Sequence, residues 1–267
     1  MSFIEARGSY GDKTVRITAV EGENPSRVIC LFHGVYGAAS RKEGDKYWLL
    51  ANKLAKGASV CLIETSRKVR DKWGFSDPQM WVQSAFSGKT YRQELYDQMS
   101  GLAEVRRSFV GLPVCLWGFS LGGINSLIIA GRQAEALVLE EGFTPPEVGE
   151  IEGVIVSGSG DSLKPQSSFH MDLPIIDSIC DREVLHRACR SIDRGWARFF
   201  WGDMDGTFDR DSAYRLFELT GTEDKAFHVV PGADHSFRNL EGVPSSEPLD
   251  YMIDRLQVRQ LQGQPGV

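Results

Sequence analysis

The chain has 267 residues, 42% of them hydrophobic and 25% charged, with a formal net charge of −6 and a pI of about 5.5. That length buries one large core, and α/β sheets of this size form single domains. The acidic balance lacks the basic stripe that a nucleic-acid partner requires, and no apolar run reaches the roughly 18 residues of a membrane span. The basic stretch Arg67–Lys72 reads as a solvated loop. The opening MSFIEARGSYGDKT has neither the basic start nor the long apolar run of a signal peptide. The five cysteines are an odd number without zinc spacing. Cys30, Cys61 and Cys115 each stand inside an apolar run, where buried reduced thiols are expected. Together these features predict a soluble, cytoplasmic protein with no nucleic-acid or membrane partner, and they leave its oligomeric state open.

Two extended segments open the chain, around Phe3–Arg7 and Val15–Val20, with the turn residues Gly11-Asp12-Lys13 between them, which predicts a hairpin. Arg27–Phe32 (RVICLF) is a continuous aliphatic run, the pattern of a strand covered on both faces. Tyr47–Lys56 has helical spacing, Ser59–Ile63 is a second buried strand, and Tyr91–Phe109 places Leu95, Met99, Leu102 and Val105 on one helical face. Pro113–Trp117 is a strand and Gly122–Ala130 starts a helix. Gly153–Val156 and Ala197–Trp201 read as strands, Tyr214–Leu219 as a helix, Ala226–Val230 as the last strand and Leu249–Val258 as a closing helix. This alternation predicts an α/β fold: a mostly parallel central sheet of about eight strands flanked by helices.

Two segments are less regular. Arg67–Thr90 is rich in aromatics (Trp73, Phe75, Trp81, Phe86), and Ser162–Arg194 carries Pro165, Pro174 and two short apolar helical patterns. Both leave the sheet at its carboxyl edge in the predicted topology, where insertions cover the ligand crevice. The chain is therefore expected to be one domain over 1–267, with 162–194 as a cap insertion.

The strongest signal is Gly118-Phe119-Ser120-Leu121-Gly122, a G-x-S-x-G segment between a strand ending at Trp117 and a helix starting near Gly122. A serine nucleophile has to project from a sharp strand-to-helix turn, and glycines two residues away on either side leave room for it. The helix amino terminus favours negative charge developing beside Ser120. A serine hydroxyl needs a base. Of the five histidines, His235 follows the last predicted strand in PGADHSF and can reach the turn. His228 lies inside that strand, His170 and His186 fall in the expected cap, and His33 reads as a loop brace. A carboxylate must orient the imidazole. Trp201-Gly202-Asp203-Met204-Asp205-Gly206 follows a strand and supplies Asp205, deeper in the turn, with Asp203 as the near alternative and Asp161 as a more distant one. Backbone N–H groups of Leu121 and Val35 are the expected oxyanion donors, with Gly34 allowing close approach.

The segments LFHGVYG, LWGFSLGG, WGDMDGTF and VPGADHSF, in order, resemble the four signature segments of the α/β-hydrolase superfamily over roughly residues 25–260. Trp73-Gly74-Phe75-Ser76-Asp77-Pro78 resembles that superfamily's loop after the fourth strand, apart from Phe75 and missing glycines. The resemblance implies the α/β-hydrolase fold and a serine hydrolase of the esterase, lipase or thioesterase kind. The serine stands against the dehalogenases, which use aspartate there, and the simple His33-Gly34 loop departs from the branch with a longer glycine run.

Other motifs fail on spacing. Gly158-Ser159-Gly160 lacks the third glycine of a dinucleotide fingerprint, since Leu163 stands there. Gly88-Lys89-Thr90 ends like a phosphate loop, but Gln83 replaces its first glycine. Asp203–Gly206 begins like a calcium loop, yet Tyr214 stands where the last carboxylate belongs. No cofactor or metal is implied.

The sequence thus predicts a carboxylic-ester hydrolase acting through an acyl-enzyme on Ser120, on a small-molecule ester or thioester. Tyr36, Trp73, Phe75 and Phe169 are its candidate substrate-binding residues, with Trp81 and Phe86 as further aromatics that either line the pocket or fill the core. Thioester or C–C bond hydrolysis by the same three residues is the alternative. A non-catalytic ligand-binding homologue is a third reading, which would be marked by a broken triad or turn.

Overall fold

The computed structural model describes residues 1–38, 41, 43–66, 74–165, 173–238 and 246–256. Strands β1 (Ser2–Arg7) and β2 (Thr14–Val20) form the predicted hairpin, whose turn places both Gly11 and Lys13 at positive φ. They continue into β3 (Val28–Phe32), β4 (Ser59–Glu64), β5 (Val114–Phe119), β6 (Gly153–Ser157), β7 (Trp196–Gly202) and β8 (Lys225–Val230). The eight strands form one sheet in the order β1-β2-β4-β3-β5-β6-β7-β8, antiparallel at the β1–β2 and β2–β4 pairs and parallel elsewhere.

The period-2 geometry of a strand divides each central run between two cores. Val28, Cys30 and Phe32 of β3, Val114 and Leu116 of β5, Val154 and Val156 of β6, and Phe199 of β7 face one core. Ile29, Leu31, Cys115, Trp117, Phe119, Ile155 and Phe200 face the other. The first core is closed by α3 (Tyr91–Ser108), α4 (Leu121–Ala130), α7 (Arg182–Ser191) and α8 (Arg210–Leu219), the second by α1 (Lys46–Leu54) and α9 (Glu247–Asp254). Burial on both faces is why these strands read as unbroken apolar runs rather than alternating ones. A buried Leu or Phe in such a layer contributes about 1.5–3 kcal/mol.

Three further helices stand outside the elements read in chain order from the sequence. Helix α2 (Pro78–Phe86) starts with Asp77, whose side chain accepts from Gln79 N, and Pro78 in the first turn. Helix α5 (Ala134–Glu140) follows α4 after a short turn, and a single-turn helix, α6 (Pro174–Asp177), precedes α7. Trp81 and Phe86 of α2 are fully buried in the first core, meeting edge to face at 6.4 Å.

Candidate active site

Ser120 stands between β5 and α4 with φ 54° and ψ −119°, a conformation that L-residues avoid and that costs about 1–3 kcal/mol. The turn is too tight for side chains beside it. A Cβ on Gly118 would overlap the Gly122 carbonyl, and one on Gly122 would overlap the Phe32 carbonyl. The end of β6 holds the strained residue in place. Ser120 N donates to Ser157 O at 2.9 Å, Ser159 Oγ donates to Ser120 O at 2.7 Å, and Trp117 Nε1 donates to Ser157 Oγ at 2.9 Å. The Gly158-Ser159-Gly160 stretch, too short of glycines for a dinucleotide loop, thus serves as a brace.

His235 follows β8, and its Nε2 lies 3.0 Å from Ser120 Oγ. Its Nδ1 lies 3.0 Å from Asp205 Oδ2. Asp205 follows β7, is 1% exposed, and accepts from Thr207 N at 2.7 Å and Phe208 N at 3.1 Å through Oδ1. An ionised carboxylate only accepts, so the Asp205 contact places the imidazole proton on Nδ1 and leaves Nε2 to accept from Ser120. Asp234 shapes the histidine loop: its Oδ1 accepts from Ser236 N and Arg238 N, both at 2.9 Å, and its Oδ2 accepts from Arg238 Nε at 2.8 Å. Lys46 Nζ adds a bond to Ser236 O at 3.3 Å and lies 4.4 Å from the centre of the Phe119 ring.

The other candidates have other partners. Asp203 accepts from Gly232 N at 2.7 Å. Asp161, with a fully buried side chain, is bound by Arg182, His186 and Arg215. Burial opposes its charge, but hydrogen bonds from Arg215, His186 and Arg182 prevail and hold its carboxyl well below the usual range. His228 stacks on Phe200 at 5.2 Å, with its pKa lowered by burial and by Arg198 and Arg255. Buried His33 donates from Nδ1 to Gly34 O at 2.9 Å and so braces its loop.

That loop turns beside Ser120. Gly37 N donates to Gly34 O at 2.9 Å, and a Cβ on Gly34 would come within 3.1 Å of Ser120 Cβ. Val35 and Leu121 line the same cleft as Ser120 and His235, and neither of their N–H groups has a protein acceptor among the described residues. The Leu121 N–H is one of the unbonded donors of the first turn of α4.

The cleft has a volume of about 1110 Å³. Tyr36, 37% exposed, is on its wall, with a phenol pKa raised by burial and by Asp77. Phe75 is not on the wall. It is half-buried against the first core, in which Trp81 and Phe86 are fully buried. Trp73, Phe169 and His170 lie outside the described residues. Much of the apolar wall instead comes from Ile124 of α4, Ile176 and Ile179 of and after α6, and Leu185 of α7. The 3.6-residue spacing of Leu185, Ala188 and Cys189 signals the inward face of α7, but nothing in it marks a cleft. Among the described residues no group of three or more His, Cys, Asp or Glu side chains is placed to hold a metal ion, and no helix is long and apolar enough to cross a membrane.

No protein-family model matches the chain, and no curated protein matches it in sequence. Solved structures do match. The esterase domain of a Rhodothermus marinus protein superposes with a TM-score of 0.59 at 14% identity, over 97% of this chain and 98% of that one. A soluble variant of monoglyceride lipase from Saccharomyces cerevisiae, in complex with a substrate analogue, gives 0.60 at 15% identity, over 95% and 93%. Dienelactone hydrolase from Anabaena variabilis gives 0.57 at 13% identity, over 96% and 99%. With its eight-stranded, mostly parallel sheet and flanking helices, the chain has the α/β-hydrolase fold.

Proposed function

We propose that the protein is a serine hydrolase that cleaves carboxylic esters through an acyl-enzyme on Ser120, with His235 as base and Asp205 as its orienting carboxylate. The observation that carries this reading is the hydrogen-bonded series Ser120 Oγ–His235 Nε2–Asp205 Oδ2, each step 3.0 Å, opening on a cleft. In this reaction Ser120 Oγ attacks the acyl carbonyl while its proton passes to His235 Nε2. The imidazolium is stabilised by the Asp205 carboxylate. Negative charge on the carbonyl oxygen is met by the Val35 and Leu121 N–H groups, which have no protein acceptor to give up. His235 returns its proton to the leaving alcohol. It then takes a proton from water, which attacks the acyl carbon, and passes that proton to Ser120 Oγ as the bond to the acyl carbon breaks and the acid leaves.

The strain at Ser120 supports the same reading, since strained backbone persists where the surroundings over-determine it, often at working sites. The esterase and lipase names among the structural counterparts agree with an ester as the substrate. The one-domain organisation fits the single sheet, and we assign segment 162–194 as the cap because α6, α7 and the residues between them supply cleft wall. Hydrolysis of p-nitrophenyl butyrate and of a butyryl thioester, measured side by side with Ser120→Ala, tests the assignment. Turnover of the oxygen ester that vanishes in the variant is expected. A faster thioester reaction would move the substrate class, and saturable binding without turnover of either would remove the enzyme reading.

A further inference from the structure

The α7 wall of the cleft carries a charge that the reaction above leaves unused. Three basic side chains converge on the single buried carboxylate of Asp161. Arg215 reaches Oδ1 through Nη2 at 2.6 Å and Oδ2 through Nε at 3.1 Å. Arg182 reaches Oδ2 through Nε at 2.9 Å and Nη2 at 2.8 Å, and His186 Nε2 lies 2.8 Å from the same oxygen. One carboxylate therefore faces two guanidiniums, while Glu183 lies 4.0 Å from the other ring nitrogen of His186 and Asp209 and Asp211 act on Arg215.

Of the two guanidiniums, Arg182 is the one that faces the cleft. Arg215 does not reach the cleft, and its Nη2 is shared with Ser162 Oγ at 3.2 Å. Arg182 lines the cleft together with Ser120 and His235, its side chain is 52% exposed, and its Nη1 has no acceptor among the described residues. The other guanidinium on the wall, Arg238, is held by Asp234 at 2.7 Å. Beside Arg182 the wall is apolar, with Ile176 and Ile179 before it and Leu185 one turn further along α7. Asp161 pins the guanidinium, so little side-chain freedom remains to be lost when a ligand pairs with it. Guanidinium also matches a carboxylate fork to fork.

We propose that Arg182 sets substrate specificity, and that the preferred substrate is an ester bearing a carboxylate at the far end of an apolar chain. This inference rests on Ser120 being the nucleophile. The carboxylate belongs to either the acyl or the alcohol part, and the test separates the two. Monomethyl adipate carries it on the acyl side and 6-acetoxyhexanoate on the alcohol side. Dimethyl adipate and methyl 6-acetoxyhexanoate are their uncharged partners.

In wild type, kcat/KM for at least one charged ester should exceed that of its uncharged partner by roughly tenfold, the scale of one charge-assisted hydrogen-bond pair. In Arg182→Gln that ratio should fall to near one, and Arg182→Lys should recover part of it. Charged esters no better than their partners in wild type, or a ratio that Arg182→Gln leaves unchanged, would overturn the inference. If no ester is hydrolysed, the Ser120 reading fails separately. Calorimetric titration with the same pairs then decides: tighter binding of a charged ester that Arg182→Gln abolishes supports the anion subsite, and equal binding overturns it.

Discussion

Asp205 and Asp97 are buried carboxylates of the same chain, 1% and 0% exposed, yet they end in different kinds of network. Asp97, on α3, accepts from Ser9 N at 2.7 Å, Ser9 Oγ at 2.8 Å, Ser66 N at 2.8 Å and Lys89 Nζ at 2.7 Å. Lys89, itself wholly buried, also pairs with Glu94 at 2.7 Å. The cluster ties the β1–β2 hairpin, the end of β4 and the start of α3 together, and its charges face one another inside the core. Asp205 gives one oxygen to backbone and the other to His235, and that series stops at a hydroxyl on strained backbone in an open cleft. Residue type and burial do not separate the two. What separates them is whether the last group in the network is already satisfied.

Substitutions should therefore act on rate at one carboxylate network and on stability at the other. The largest effect expected is for Ser120→Ala: kcat on a simple ester should fall by roughly 10⁵- to 10⁶-fold, with a normal circular-dichroism spectrum and melting curve. Asp205→Asn should cost about 10⁴-fold in kcat, since an amide donating to Nδ1 favours the wrong imidazole tautomer. At the other network, Lys89→Met should lower unfolding free energy in urea by about 3–5 kcal/mol, because it leaves Glu94 and Asp97 buried without their cation. Its kcat per folded molecule should stay within a few-fold of wild type. A loss of rate in Lys89→Met matching that of Asp205→Asn would erase the distinction.

A third carboxylate sharpens the comparison through pH. Asp161 has its pKa lowered in the folded protein, so its contribution to stability is present above the unfolded carboxylate pKa and is lost as pH falls below about 4. Asp161→Asn should remove that part of the acid limb of the stability–pH curve and leave the curve's shape near neutrality alone. The smallest effect is expected at Cys180. It lines the cleft, but burial pushes its thiol up to about 11, so iodoacetamide near pH 7 should alkylate it slowly and leave activity unchanged.

Legibility in the sequence followed burial. Strands such as β3 and β5 are apolar on both faces, and that pattern has no other ready meaning in runs this short. The tight turn at Ser120 was legible because only glycine fits at 118 and 122, so the constraint is written in residue type. Helix α2 was masked by its aromatics, although Asp77 and Pro78 mark its start. Phe75, an expected substrate contact, packs against the first core instead of lining the described cleft, and aromatic density alone does not say which side is core. The Ile176, Ile179, Arg182 and Leu185 wall depends on how α7 packs against α4 and α8, and the Asp97 cluster joins residues 88 positions apart. Neither leaves a local pattern.

Labelling with a fluorophosphonate probe, read by peptide mass spectrometry on wild type and Ser120→Ala, tests the activated serine most directly. The account predicts a single adduct on the peptide carrying Ser120 in wild type and none in the variant. Folded wild-type protein that takes up no probe, or an adduct elsewhere that persists in Ser120→Ala, would contradict it.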